Sequence, residues 1–249
     1  MPMRKDDSKD VVFLHGWGFA SGIWDDLSSR LGPRLRVHAL DLPGYGAAPA
    51  CSPYTLDALA AAVARAAPRR CHVVGWSLGG EVALAWARRA PRQVRRLVLI
   101  ATTPCFVRRV GWSCATEPAV LQEFGRSLAA DRAETLARFA AAQAKGDARG
   151  RRLTGVLRTA SEQSATDAVL TAGLAVLHAA DLRGELSRVR QPALVLHGAH
   201  DRIVPPAAGS RLAAALRDAR FVLLRSCAHV PFLSHPERVA RKVRSFLDE

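Results

Sequence analysis

Short apolar runs recur along this 249-residue chain, and their spacing restricts its fold more than any other feature. "VVFLHG" (11–16), "LRVHAL" (35–40), "CHVVG" (71–75), "RLVLIA" (96–101), "ALVLHG" (193–198) and "RFVLLR" (220–225) read as strands. Their apolar residues run on consecutively, as in strands covered on both faces of a parallel sheet. Between them lie segments with apolar residues at helical spacing, over 55–67, 78–89, 207–216 and 236–247. Strands that alternate with helices predict an α/β domain, with a mostly parallel sheet flanked by helices on both faces. The interval 103–190 breaks the rhythm: "EPAVLQEFGRSL", "AETLARFAAAQA" and "DAVLTAGLAVLHAADL" are helical in pattern and no strand is visible. A helical lid inserted into the core is predicted there, dividing the core into 1–102 and 191–249.

The third run leads into "GWSLGG", a G-x-S-x-G that opens the helical pattern from Leu78. Serine here has two readings. It can be a helix N-cap, or a nucleophile held at a strand-to-helix elbow, where flanking glycines admit close backbone approach. A serine nucleophile needs a base, and the base needs an acid to orient it. Asp201 follows the fifth run and His229 the sixth, so both stand at the ends of strands, where open α/β sheets gather their sites. The chain order Ser77, Asp201, His229 is that of hydrolases built on this elbow. The backbone N–H of Leu78, at the helix start, and that of Trp17, after the first run, are candidate oxyanion donors. His235 is a weaker candidate base, because "SHPERV" reads as the start of the last helix, and His200 and Asp41 read as surface or turn-stabilising groups.

Composition narrows the function classes. The five cysteines are scattered and form no CxxC pair, so reduced thiols are expected and neither a disulfide framework nor a metal site is. No phosphate-cradling loop is present, so no cofactor is expected. The opening "MPMRKDDSKD" is polar and no apolar run is long enough to span a bilayer, which predicts a cytoplasmic protein without membrane association. A monomer is expected. The net charge of +14 comes almost wholly from arginine. It fits a solvated cationic surface or an acidic partner; nucleic-acid binding is not expected, because no recognition motif accompanies it.

"HGWGFASGIW", "DLPGYG", "GWSLGG", "HGAHDRIVP" and "AHVPFLSHPE" together resemble the α/β-hydrolase superfamily over essentially the whole chain. Within it, "GWSLGG", Trp17 after His15-Gly16, and "TTPCF" (102–106) resemble the pimeloyl-[acyl-carrier protein] methyl ester esterases of biotin synthesis, which release methanol from a carrier-bound acyl chain. The resemblance implies that Ser77 attacks the ester carbonyl, His229 moves the protons and Asp201 orients it. It also implies that Phe139, Ala140, Ala141, Ala142 and Gln143 line an acyl channel, ordinary helix packing being the plainer reading of that stretch. The implied partner is an acyl-carrier protein, which is strongly acidic. Arg138, Arg149, Arg151, Arg152 and Arg158 are candidate docking residues, with Asp147 the lone acid between 138 and 158. The arginine-rich composition of the whole chain is the competing explanation, and Glu134 stands where the family pattern leads one to expect arginine. A short-chain carboxylesterase or lactonase, or a non-catalytic binding protein of the same fold, are the alternatives. Dehalogenase chemistry is disfavoured, because it requires an aspartate at position 77.

Overall fold

The six runs become six strands: β1 (Asp10–Leu14), β2 (Arg36–Leu40), β3 (Cys71–Trp76), β4 (Val94–Ile100), β5 (Ala193–Gly198) and β6 (Ala219–Leu224). The structure, a computed structural model, describes residues 9–249 except Gln163. Residues 1–8 of the polar opening, on which the cytoplasmic expectation partly rests, therefore lie outside the described residues. Every neighbouring strand pair is parallel, in the order β2-β1-β3-β4-β5-β6.

Ten helices are described: α1 (Asp25–Ser29), α2 (Leu56–Ala66), α3 (Leu78–Arg89), α4 (Pro118–Ala130), α5 (Arg132–Ala144), α6 (Gly150–Ser161), α7 (Asp167–Ala179), α8 (Pro206–Ala215), α9 (Pro231–Ser234) and α10 (Pro236–Leu247). Successive side chains of a strand point to opposite faces, and the interior divides accordingly. Val12, Leu14, Val73, Leu97 and Leu99 pack with residues of α2, α3 and α8. Val11, Phe13, Val74, Val98 and Ile100 pack on the other face with residues of α1 and α10. Two strands depart from the expectation of burial on both faces: β2 and β6 are half-exposed along most of their length. They are the sheet edges, each with a single neighbour, and on β2 the edge is charged, Arg36 and His38 both bonding Asp10.

Among the described residues no strand lies between β4 and β5. Helices α4 to α7 fill that interval, packed α4 on α5, α5 on α6 and α4 on α7. Side-chain caps start two of these helices and one of the core: Asp131 accepts from Glu134 N–H at α5, Thr166 from Val169 N–H at α7 and Thr55 from Ala58 N–H at α2. Trp17, just beyond β1, donates its indole N–H to the carbonyl of Leu170 in α7 at 2.8 Å, which fixes the inserted helices over the C-terminal edge of the sheet. No helix among the described residues is long and apolar enough to cross a membrane.

Candidate active site

The chain leaves β1 towards β2 on one side and returns to β3 on the other, so the C-terminal ends of β1 and β3 border the crevice where open α/β sheets bind ligands. Ser77 stands there, with φ 54° and ψ −120°. A non-glycine residue in this region is strained by about 1–3 kcal/mol and persists only where its surroundings hold it. Those restraints are identifiable. Ser77 N–H donates to Ile100 O at 3.0 Å, and Ser77 O accepts from Gly80 N–H at 2.9 Å and from the Thr102 hydroxyl at 2.7 Å. The glycines supply room: a Cβ on Gly75 would lie 2.5 Å from the carbonyl oxygen of Gly79, and one on Gly79 would lie 2.3 Å from that of Leu14. Ser77 occupies the N-cap position of α3 but makes no capping hydrogen bond with its side chain. Its hydroxyl is thus not spent on the helix.

Asp201 and His229 meet, as the sequence leads one to expect. His229 Nδ1 lies 2.8 Å from Asp201 Oδ2, both side chains being buried. An ionised carboxylate can only accept, so Nδ1 carries the proton and Nε2 is left as the basic atom. The other carboxylate oxygen of Asp201 accepts from Ile203 and Val204 N–H, each at 2.9 Å, which locks the acid in its turn. Burial opposes ionisation of Asp201, yet the charges and hydrogen bonds of His229 and His197 outweigh it and hold the carboxyl well below the usual range. The Trp76 indole donates to the carbonyl of His229 at 3.0 Å, so the residue preceding Ser77 also anchors the histidine loop. Gly198, at the end of β5, leaves that loop its path: a Cβ there would lie 2.0 Å from Ala228 O.

Leu78 opens α3, so its N–H has no acceptor within the helix. The loop bearing the Trp17 N–H is set by His15, fully buried, which donates through Nδ1 to Gly16 O at 2.8 Å and accepts at Nε2 from Leu42 N–H at 2.9 Å. Acceptance at Nε2 needs the neutral ring, and burial lowers its pKa to about 4.

Ser77 lies at one wall of a cavity of about 420 Å³. Trp17, Phe124 and Phe139 form an aromatic triangle on it, with ring centroids 5.3–5.5 Å apart in edge-on pairs. Glu123, Arg138 and Arg202 are its charged lining. A larger open depression of about 1170 Å³, rimmed by arginines such as Arg69, Arg92 and Arg190, lies at the opposite edge of the sheet, where β3, β4 and β5 begin; it holds no nucleophile.

The stretch 139–143 divides by helical period. Phe139 and Ala142, three residues apart on one face, line the cavity. Ala140 and Gln143 are fully buried, and Ala141 is exposed. Arg138, Arg149, Arg151, Arg152 and Arg158 are all exposed, and the Arg149 guanidinium also donates to Ser234 O. Asp41 holds its turn by accepting from Ser21 and Ala47 N–H.

Several residues of the site have neighbours that the sequence does not disclose. Thr102 reaches Ser77 from the end of β4, after Ala101 has turned the chain at φ 48°. His197 places Nε2 2.9 Å from Val204 O and 3.2 Å from Asp201 Oδ2. Glu81, in the first turn of α3, is buried with no partner for either carboxylate oxygen, and burial pushes its carboxyl well above the usual range. Asp147, Cys227 and His235 bring ligand-type atoms within 4.8 Å of one another. Both oxygens of Asp147 already accept backbone N–H groups, so this is a hydrogen-bonded cluster.

The sequence profile of the Alpha/beta hydrolase family matches residues 11–242. The chain belongs to the alpha/beta hydrolase family. Two relatives within it are named pimeloyl-[acyl-carrier protein] methyl ester esterase. That of Nitrosomonas europaea is 44% identical over 231 residues, 92% of each chain. That of Aromatoleum aromaticum is 44% identical over 238 residues, 93% of this chain and 95% of the relative. Alpha/beta hydrolases of known structure share the fold at lower identity. An esterase from Exiguobacterium antarcticum superposes with a TM-score of 0.88 at 22% identity, over 96% of this chain and 92% of the other. The enol-lactonase of Burkholderia xenovorans LB400 superposes at 0.84 and 24%, over 99% and 94%.

Proposed function

We propose that this alpha/beta hydrolase is a serine carboxylesterase that hydrolyses the methyl ester of pimeloyl-[acyl-carrier protein], releasing methanol and the carrier-bound acid. The observation that carries the reading is the ordered pair of His229 and Asp201 at the sheet edge that also holds the strained Ser77. The relatives' name supplies the substrate, and the apolar cavity suits a slender aliphatic chain.

In this reading the Ser77 hydroxyl attacks the ester carbonyl while His229 Nε2 takes its proton. The Trp17 and Leu78 N–H groups hold the negative oxygen of the tetrahedral intermediate. Collapse breaks the bond to methoxide, which leaves as methanol with the proton from His229. Water, deprotonated by the same nitrogen, attacks the acyl-serine, and the second collapse returns the proton to Ser77 and frees the acid. Asp201 stays ionised throughout and steadies the imidazolium. Helices α4 to α7 act as the lid over residues 103–190. The exposed Arg138, Arg151, Arg152 and Arg158 give it a cationic face for an acidic carrier protein.

The test compares the carrier-bound methyl ester with a small neutral ester. A large preference in kcat/KM for the carrier-bound substrate is expected. Raising salt from about 0.1 M to 1 M shortens the screening length from ~10 Å to ~3 Å and should lower that kcat/KM about tenfold, leaving the neutral ester nearly unchanged. Equal efficiency and equal salt response would assign the enzyme to free short-chain esters instead. Restored biotin-independent growth in a strain lacking the methyl ester esterase gives the matching result in cells.

A further inference from the structure

The loop that carries His229 belongs to no strand or long helix. It runs from the end of β6 to α9, and two of its backbone amides find their acceptors in the lid. Ala228 N–H donates to Asp147 Oδ2 at 3.1 Å. The next amide, His229 N–H, donates to Gln143 O at 3.1 Å. Both acceptors lie at the corner between α5 and α6. Asp147 is itself buried, and its second oxygen accepts from Arg149 N–H at 2.9 Å, so one carboxylate bridges the start of α6 to the histidine loop. The corner has further holds on its surroundings. The Arg149 guanidinium reaches Ser234 O beyond the loop. Gly146, at φ +90°, turns the chain so closely against His200 that a Cβ would come within 3.0 Å of that side chain. His200 N–H in turn donates to Cys227 O at 2.9 Å.

We propose that Asp147 is a positioning residue for the esterase reaction: its carboxylate clamps the α5–α6 corner to the amide just before His229, so that the lid sets the aim of the imidazole. The core holds this histidine by its ring, through Asp201, and by its carbonyl, through Trp76. On the N-terminal side of the ring, the core holds Cys227 through His200 N–H and Leu224 O, and the amides of Ala228 and His229 have the lid as their support. Removing the carboxylate leaves Ala228 N–H without its acceptor and lets the loop shift, and a displacement of about 1 Å at a catalytic group is enough to cost turnover. The Asp201 turn and the hydrogen bonds around Ser77 are untouched by that change.

The proposal rests on the reading of His229 as the base, and the experiment separates the two. Asp147→Ala and Asp147→Asn are measured on a small neutral ester, with kcat corrected for the folded fraction. Asp147→Ala is expected to lower kcat roughly tenfold with KM within about twofold, because the acyl cavity is unchanged. Asp147→Asn keeps one carbonyl oxygen, enough for one of the two amides, and should fall between Asp147→Ala and the parent. The far-downfield proton resonance of the His229–Asp201 hydrogen bond should broaden or shift in Asp147→Ala, a change that a purely structural role would not produce. A kcat within twofold of the parent, or an unaltered resonance, overturns the clamp. Full activity in His229→Ala would instead overturn the base assignment on which the clamp depends.

Discussion

Ser77→Ala is expected to lower kcat for ester hydrolysis about 10⁴-fold or more while leaving the fold intact. The selectivity of that loss follows from how the elbow is built. The hydrogen bonds that hold residue 77, from its N–H to Ile100 and to its carbonyl from Gly80 and Thr102, are all made with its backbone. Alanine keeps every one of them, and its thermal midpoint should lie within a few degrees of the parent. Ser77→Gly extends the test. Glycine adopts φ 54° without steric cost, so this variant should be equally inactive yet more stable, by about 1–2 kcal/mol. For a chain of this size that is a rise of roughly 2–8 °C in Tm. Inactive variants that gain stability would identify the strained backbone as a cost carried for the nucleophile. Undiminished turnover in Ser77→Ala would remove Ser77 from the reaction.

The second large effect concerns stability and lies at Glu81. Its carboxyl is buried without partners and titrates well above the usual carboxylate range because of that burial. The folded protein therefore keeps a proton that the unfolded chain releases above its ordinary pKa of about 4.3. From that point stability falls as pH rises, by about 1.4 kcal/mol per unit, until the folded-state pKa is reached. Glu81→Gln removes the ionisation without changing the shape. Its Tm should exceed that of the parent at pH 7, with the gap shrinking as the pH is lowered to 5. Thermal denaturation of both proteins across that range checks the sign. A gap that is constant with pH would mean that Glu81 titrates normally.

Glu81 also shows where sequence reading stops. In "LGGEVALAW" a lone glutamate suggests a wetted helix face, but α3 is buried at every residue from Leu78 to Ala87, squeezed between the sheet and neighbouring helices. By contrast, the strands were legible to within two residues, because consecutive apolar residues bounded by turns leave little freedom. The half-exposed edges β2 and β6 were not, since which strand lies outermost depends on the order of assembly and not on any local run.

The candidate site divides in the same way. Ser77, Asp201 and His229 each follow an apolar run, so their places at strand ends could be anticipated, and of these the contact between Asp201 and His229 is observed. The cavity wall could not: Phe106, Phe124, Phe139 and Leu174 come from separate segments of the insertion, and their meeting is a packing outcome. Thr102 and His197 open the stretches "TTPCF" and "HGAHDRIVP", yet only distances reveal that they brace Ser77 and Asp201. The stretch 139–143 was readable as helix, but which of its residues face the cavity was fixed by the helix's rotation about its own axis.

Covalent labelling tests the central claim most directly. A fluorophosphonate is expected to add one phosphonyl group per chain, found by peptide mass mapping on Ser77. The rate should fall about 10³-fold or more in His229→Ala, where no imidazole takes the hydroxyl proton. A label on any other residue, or labelling of Ser77 at the parent rate in His229→Ala, would contradict the account.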